Sequence, residues 1–182
     1  MRLLGTDFIL SPEQVIQCDK TSQGCNGGWT EHAYQYLESA GGQETEASYP
    51  YTSYSGSTGT CKVNSKDFVV KITGYTTVGG SSASVIESNM ANYVQATGPL
   101  SVCLDASTWS SYTSGIMTAA TCGTSVDHCV QAVGVLTGTG GYWKVRNQWG
   151  TSWGEAGFIR LAYGTNTCDI TNDPTHVTVV NP

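Results

Sequence analysis

His128 stands at the head of an apolar run, Ser125-Val126-Asp127-His128-Cys129-Val130-Gln131-Ala132-Val133-Gly134. A loop end there can present an imidazole to a cleft while the following strand holds it. An imidazole titrates near neutrality, which suits proton transfer. Asn147 leaves a second run, Lys144-Val145-Arg146-Asn147-Gln148-Trp149, and a Trp-Gly-x-x-Trp-Gly turn continues from it to Gly154. The third pattern is a tight loop, Gly24-Cys25-Asn26-Gly27-Gly28-Trp29. Taken singly, each has a plain reading: a satisfied histidine, a turn asparagine, core tryptophans. Cys18, Cys25 and Cys61 lack the two closely spaced cysteine pairs that zinc sites use, so no metal is expected, and no other cofactor either.

The elements that must hold these residues follow from local pattern. Ser11-Pro12-Glu13-Gln14 reads as a helix start, with serine as N-cap, proline at the first helical position and Gln14 where a capping box wants it. Thr30 to Ala40 predicts a helix, with Ala33, Leu37 and Ala40 about one turn apart and Gly41-Gly42 ending it. Residues 42–67 read as irregular. Phe68 to Tyr75 predicts a strand around its β-branched run from Val69 to Thr73. Ser82 to Gln95 predicts an amphipathic helix, with Val85, Ile86, Met90, Tyr93 and Val94 on one stripe and Gly98-Pro99 beyond its end. Leu100–Leu104, Cys129–Leu136, Tyr142–Arg146, Phe158–Leu161 and Val177–Val180 then read as strands. Helices early and strands late indicate an α+β protein. A helical lobe is expected over residues 1–77 and a β-rich lobe, carrying His128 and Asn147, over residues 78–182.

Composition narrows the function. The 182 residues carry a formal net charge of −6 with no Lys/Arg cluster along the sequence. Phosphate backbones and anionic membrane surfaces both require concentrated positive charge, so neither nucleic acid nor membrane is an expected partner. No apolar run approaches the roughly 20 residues of a membrane helix. Met1-Arg2-Leu3-Leu4 meets Gly5-Thr6-Asp7 at once, which does not read as a signal peptide, so no targeting signal is expected within the chain. Seven cysteines are many for a cytosolic enzyme and suggest disulfides in an oxidising compartment, buried free thiols being the plainer alternative. The count is odd, so at least one thiol is free, shared with another chain, or missing its partner.

The stretches "SPEQVIQCDKTSQGCNGG", "YPY", "VDHCVQAVG" and "VRNQWGTSWGEAGFIRL" together resemble the papain-like cysteine peptidases, the clan that includes the lysosomal cathepsins. The resemblance runs from about Gly5 to the end. It implies a two-lobed fold with a helical lobe and an antiparallel β-barrel-like lobe, and a lysosomal, vacuolar or secreted protein. It implies that His128 is the general base and later acid, and that Asn147 accepts a hydrogen bond from the ring and fixes its tautomer. Trp149 would lie over that contact and keep water out. Gly27 and Gly28 would leave bare backbone for an extended substrate. Trp29, Cys103, Val126, Asp127, Cys129 and, at the far end, Asp173 would contact substrate, the last favouring a basic side chain. The resemblance further implies bridges Cys18–Cys61 and Cys122–Cys168. Cys103 and Cys129, on segments that would neighbour each other in the β lobe, would form a third.

One part of the pattern is missing. The family carries its reactive cysteine in a C-G-[SA]-C-[WY] motif well upstream of the histidine. No such motif occurs in this sequence. The oxyanion glutamine precedes that motif and is absent with it. Cys25 is no substitute, because the family pairs that cysteine with one in the missing motif. It is therefore expected to be unpaired here or bonded to another chain. Gln148 stands where the family usually has serine and is expected to point away from Asn147. Two readings follow. One is the part of a peptidase that holds the base and its orienter, inactive by itself. A peptide or protein would be its substrate once an N-terminal segment or partner chain fills the lobe interface. The other is a non-catalytic relative reused for binding or assembly.

Overall fold

The computed structural model describes residues 2–3 and 6–180 and divides into two compact units. The first comprises the described residues up to Thr76 together with residues 177–180, and the second runs from Thr77 to His176. The chain end thus returns to the first unit instead of completing the β-rich lobe expected over residues 78–182.

The first unit begins with two short antiparallel strands, β1 (Arg2–Leu3) and β2 (Thr6–Asp7). The resemblance also implies that the missing segment carries a helix packing on the Leu3–Phe8 end and the helix after Thr30, and the first of these surfaces falls partly outside the described residues. Helix α1 (Pro12–Cys18) opens as anticipated, with Ser11 Oγ accepting from Gln14 N at 3.0 Å. The capping box is only half formed. Gln14 Nε2 donates to Gly42 O at 3.0 Å and its Oε1 accepts from Glu44 N at 2.7 Å, while Ser11 N donates to Glu44 O instead. Long-range backbone pairing has taken over the role of the local cap. Helix α2 (Thr30–Ala40) ends on Gly41, whose φ of 84° is the left-handed conformation glycine adopts freely. None of its residues is fully buried. Strand β3 (Lys71–Thr77) starts later than the β-branched run suggests, because Val69 and Val70 pair instead with Gln43 in an isolated bridge.

The second unit holds the main core. Helix α3 (Ala83–Ala96) lies over the sheet, but its buried face is Glu87, Met90 and Ala91, and Val85 is 41 % exposed. Glu87 accepts from Trp143 Nε1 and Gly164 N at 2.9 Å each and from Asn166 N at 3.2 Å. Ile86, Met90, Tyr93 and Val94 of the expected stripe pack on the core, and that satisfied carboxylate, not Val85, takes the remaining buried place. The sheet order is β9–β4–β6–β7–β8–β5, formed by β4 (Leu100–Leu104), β5 (Ile116–Met117), β6 (His128–Leu136), β7 (Tyr142–Arg146), β8 (Phe158–Ala162) and the start of β9 (Thr175–Val180). Pairings are antiparallel except β5 with β8, so the sheet is mixed. Two-residue β5 is too short to show a pattern in sequence. Leu100, Val102, Leu104, Trp109, Trp143, Val145, Ile159 and Leu161 fill the core beneath it. Within the first unit, β3 lies beside the later residues of β9.

Candidate active site

His128 is the first residue of β6, and Asn147 follows the last residue of β7. Antiparallel pairing sets Gln131 opposite Arg146, so the start of one strand and the end of the next lie side by side. His128 Nε2 and Asn147 Oδ1 are 2.8 Å apart. The same Oδ1 accepts from Gln148 N at 2.9 Å. A backbone N–H can only donate, so the atom facing the ring is the carboxamide oxygen, and the ring's Nε2 carries the proton. In the neutral imidazole, Nδ1 is then left with its lone pair, free to accept a proton from elsewhere. Asn147 is 6 % exposed, and its Nδ2 is buried without a hydrogen-bond partner among the described residues.

Trp149 stacks on the imidazole, with ring centroids 5.3 Å apart and planes 27° from parallel. It remains 43 % exposed, so it shields one face of the contact while keeping its own outer surface in solvent. Two further tryptophans complete the surround: Trp109, which the sequence did not single out, and Trp153, which packs against the core as its plain reading expects. Trp109 meets the His128 ring edge-on at 6.3 Å, and Trp153 stacks on Trp109 at 6.0 Å and meets Trp149 edge-on at 5.2 Å. Trp109 had one signal in the sequence: it is a lone large apolar residue within Ser107-Thr108-Trp109-Ser110-Ser111.

The loop leading into His128 is held by Asp105, which the sequence did not single out. Its carboxylate accepts from Ser107 Oγ and Ser107 N on one side and from Ser125 N at 2.8 Å on the other. The hydrogen bond from the Ser107 hydroxyl, reinforced by the two backbone donors, holds Asp105 below the usual carboxylate range. A Cβ on Gly123 would collide with Asp105 Oδ2, so this turn accepts nothing larger than glycine.

The remaining expected contact residues divide by unit. In the second unit, Val126 is half-buried, and Asp127 is exposed with its Oδ1 accepting from Ala106 N at 2.8 Å. Cys103 is 0 % exposed and bonded to Cys129, its register partner across β4 and β6. It has no surface to offer a ligand, and only the half-buried Cys129 of that pair reaches solvent. Asp173 is half-buried just before β9. Gln148 does point away from the Asn147 carboxamide, its Nε2 donating to Cys129 O at 3.1 Å.

In the first unit, Gly24–Asn26 form a 3-10 turn that carries Cys25. Gly27 has φ 106°, and both its backbone groups are used within the turn, by Gly24 O and Gln23 N. It is therefore not the open backbone the resemblance implies. Gly28 is: among the described residues its N–H and C=O have no backbone partner. A Cβ on Gly28 would strike the Ser22 side chain, so the position admits only glycine. Trp29 is 51 % exposed.

Disulfides join Cys18 to Cys61, Cys103 to Cys129 and Cys122 to Cys168, the three pairs the sequence resemblance implies, and the Cys25 thiol is free. Among the described residues no cluster of three His, Cys, Asp or Glu side chains is placed to hold a metal ion. No described helix is long and apolar enough to cross a membrane.

The model of the "Papain family cysteine protease" family matches residues 3–178. A cathepsin L-like proteinase of Fasciola hepatica is 43 % identical over 91 % of this chain and 50 % of its own length. Digestive cysteine proteinase 1 of Homarus americanus is 39 % identical over 96 % of this chain and 55 % of its own. The chain spans about half the length of the curated relatives it matches. Among solved structures, the bromelain protease of Ananas comosus in complex with the E64 inhibitor superposes with a TM-score of 0.81 at 36 % identity, over 96 % of this chain and 80 % of that one. Digestive procathepsin L2 of Tenebrio molitor gives 0.85 at 31 % identity, over 96 % of this chain and 54 % of that one.

Proposed function

Because the chain belongs to the papain family of cysteine proteases, we propose that it furnishes the base and its orienter for peptide-bond hydrolysis by Cys–His–Asn chemistry. The observation that carries this is the hydrogen bond between His128 Nε2 and Asn147 Oδ1, with the carboxamide oriented by Gln148 N. It leaves Nδ1 as the basic atom, which takes the proton of an attacking thiol and returns it to the leaving amine. Trp149 keeps water from one side of the contact, and Trp109 and Trp153 hold the ring from behind. The two ends of the pair are thereby restrained without a charged third group. In the second unit, Val126, Asp127, Cys129 and Asp173 supply side-chain contacts for a peptide; in the first unit taken by itself, Gly28 offers free backbone and Trp29 an exposed ring.

The thiol does not come from these 182 residues. Six of the seven cysteine sulfurs are in disulfides. The seventh, Cys25, sits in a turn to which the family gives a structural bond. An imidazole without a nucleophile has nothing to activate, and in a related triad loss of the nucleophile alone costs about six orders of magnitude in kcat. A polypeptide of residues 1–182 alone therefore does not hydrolyse peptides, and a segment bearing the nucleophile completes the site. Helix α2, with no fully buried residue, is a surface such a segment would cover. Three disulfides suit a lysosomal, vacuolar or secreted setting.

The test is an assay of the 182-residue protein on a fluorogenic peptide, alone and with a second polypeptide carrying the C-G-[SA]-C-[WY] motif and its helix. No turnover alone and His128-dependent turnover after mixing are expected. Turnover by residues 1–182 alone, lost in His128→Ala, overturns the missing-thiol account. No turnover in any combination, with the mixture shown to assemble, favours a non-catalytic binding role.

A further inference from the structure

Residues 77–176 contain only three cations, Lys144, Arg146 and Arg160. They are not clustered along the chain, yet the sheet sets them on neighbouring strands. Lys144 lies opposite Arg160, and Arg146 lies opposite Phe158 on one side and Gln131 on the other. On β7 the intervening Trp143 and Val145 point into the core, so Lys144 and Arg146 share the outer face. Arg160 is neutralised by Glu155 and lies over the Tyr142 ring. Lys144 and Arg146 form no ion pair among the described residues.

These two cations, with Gln131, Val133, Gln148 and Phe158, line an open groove of about 720 Å³. No Asp or Glu lines it, in a protein whose net charge is −6. Lys144 Nζ is 4.5 Å from the centre of the Phe158 ring, which places the ammonium instead of leaving it to wander. The Arg146 guanidinium offers two parallel donors suited to a carboxylate, with the Gln131 amide alongside.

We propose that this groove binds an acidic polypeptide segment in extended form, with two carboxylates separated by one residue meeting Lys144 and Arg146. Side chains two apart on an extended strand stand on one face at about 6.8 Å, the spacing β7 itself imposes on its two cations. Two uncompensated charges are too few for a polyanionic glycan, whose affinity grows with every charge neutralised. Phe158 and Val133 add apolar contact for the side chains of a peptide. The groove is also lined by Asn147, Gln148, Gly150 and Thr151, and Gln148 holds both Asn147 Oδ1 and Cys129 O, so a bound segment lies against the loop that carries Asn147. Binding here does not depend on hydrolysis taking place.

The experiment measures fluorescence anisotropy of a short labelled peptide with two glutamates one residue apart, mixed with the 182-residue protein at low salt. The glutamine version of the peptide and a sulfated oligosaccharide are the comparison ligands. The glutamate peptide is expected to bind about tenfold or more tighter than the glutamine peptide, and to weaken as salt screens the pairs. Lys144→Gln with Arg146→Gln is expected to abolish that difference, while Lys66→Gln retains it. Amide NMR shifts of the unmutated protein should move at residues 144–148 and on β8, a readout independent of whether the double variant folds. Equal binding of the two peptides, shifts elsewhere, or binding of the oligosaccharide with none of the acidic peptide would each overturn the proposal.

Discussion

A single donor decides how His128 works. Gln148 N holds Asn147 Oδ1, that oxygen faces Nε2, and the ring proton is thereby assigned. Asn147→Ala removes the acceptor while leaving the backbone free to keep its course. The imidazole proton should then redistribute between Nε2 and Nδ1, visible as a change in the two ring-nitrogen shifts by NMR. An unchanged tautomer in the variant would mean that the tryptophans, not Asn147, orient the ring. At this scale the sequence is informative for His128 and Asn147, because their motifs are local. It is silent on Asp105 and Trp109, which reach the site from segments about 20 residues upstream in chain order. Their roles depend on contacts with Ser125 and with the His128 ring.

Among the elements, α3 shows how a buried polar group joins a hydrophobic stripe, with Ile86, Met90, Tyr93 and Val94 packed on the core and Val85 exposed. Glu87 is 1 % exposed and accepts three hydrogen bonds, from the indole of β7's Trp143 and from two backbone amides after β8. Glu87→Ala leaves the buried Trp143 indole N–H unmatched and takes the acceptor from two part-buried backbone amides, and the expected loss is about 2–4 kcal/mol of unfolding free energy. The comparison is with Val85→Ala on the exposed side of the same helix, where about 0.5 kcal/mol or less is expected. Similar losses for the two in urea denaturation would show that Glu87 does not anchor the helix on the sheet. Local signals found the ends of α1, α2 and β7 because caps, glycines and proline act within a turn. The start of β3 moved because Gln43 competes for Val69 and Val70 from a distant segment.

For the molecule as a whole, pH-dependent stability rests on carboxylates held by donors. Asp105 is lowered by the Ser107 hydroxyl, and Glu155 by the hydrogen bond from Arg160. Burial pushes Asp19 up, but hydrogen bonds from Thr21 and Ser22 outweigh it and leave it lowered. Each group is more acidic folded than unfolded. Its stabilisation is therefore complete above the unfolded value of roughly 4 and is lost as pH falls through the depressed folded value. The urea midpoint should be flat above about pH 4 and decline below it, and Asp105→Asn should make the decline shallower. Parallel curves for parent and variant would contradict this assignment.

The α+β class, the family, most element positions, the catalytic candidates and the three cysteine pairs were all legible from the amino-acid order. Caps, glycine stops, alternation and family motifs are short-range patterns that survive without coordinates. Tertiary structure alone decided that Cys103 has no exposed surface, that Gly28 and not Gly27 offers free backbone, and that residues 177–180 return to the first unit. It also brought three scattered cations onto one sheet face. Those outcomes depend on strand register and on which distant donor reaches which acceptor first, and no local period encodes either.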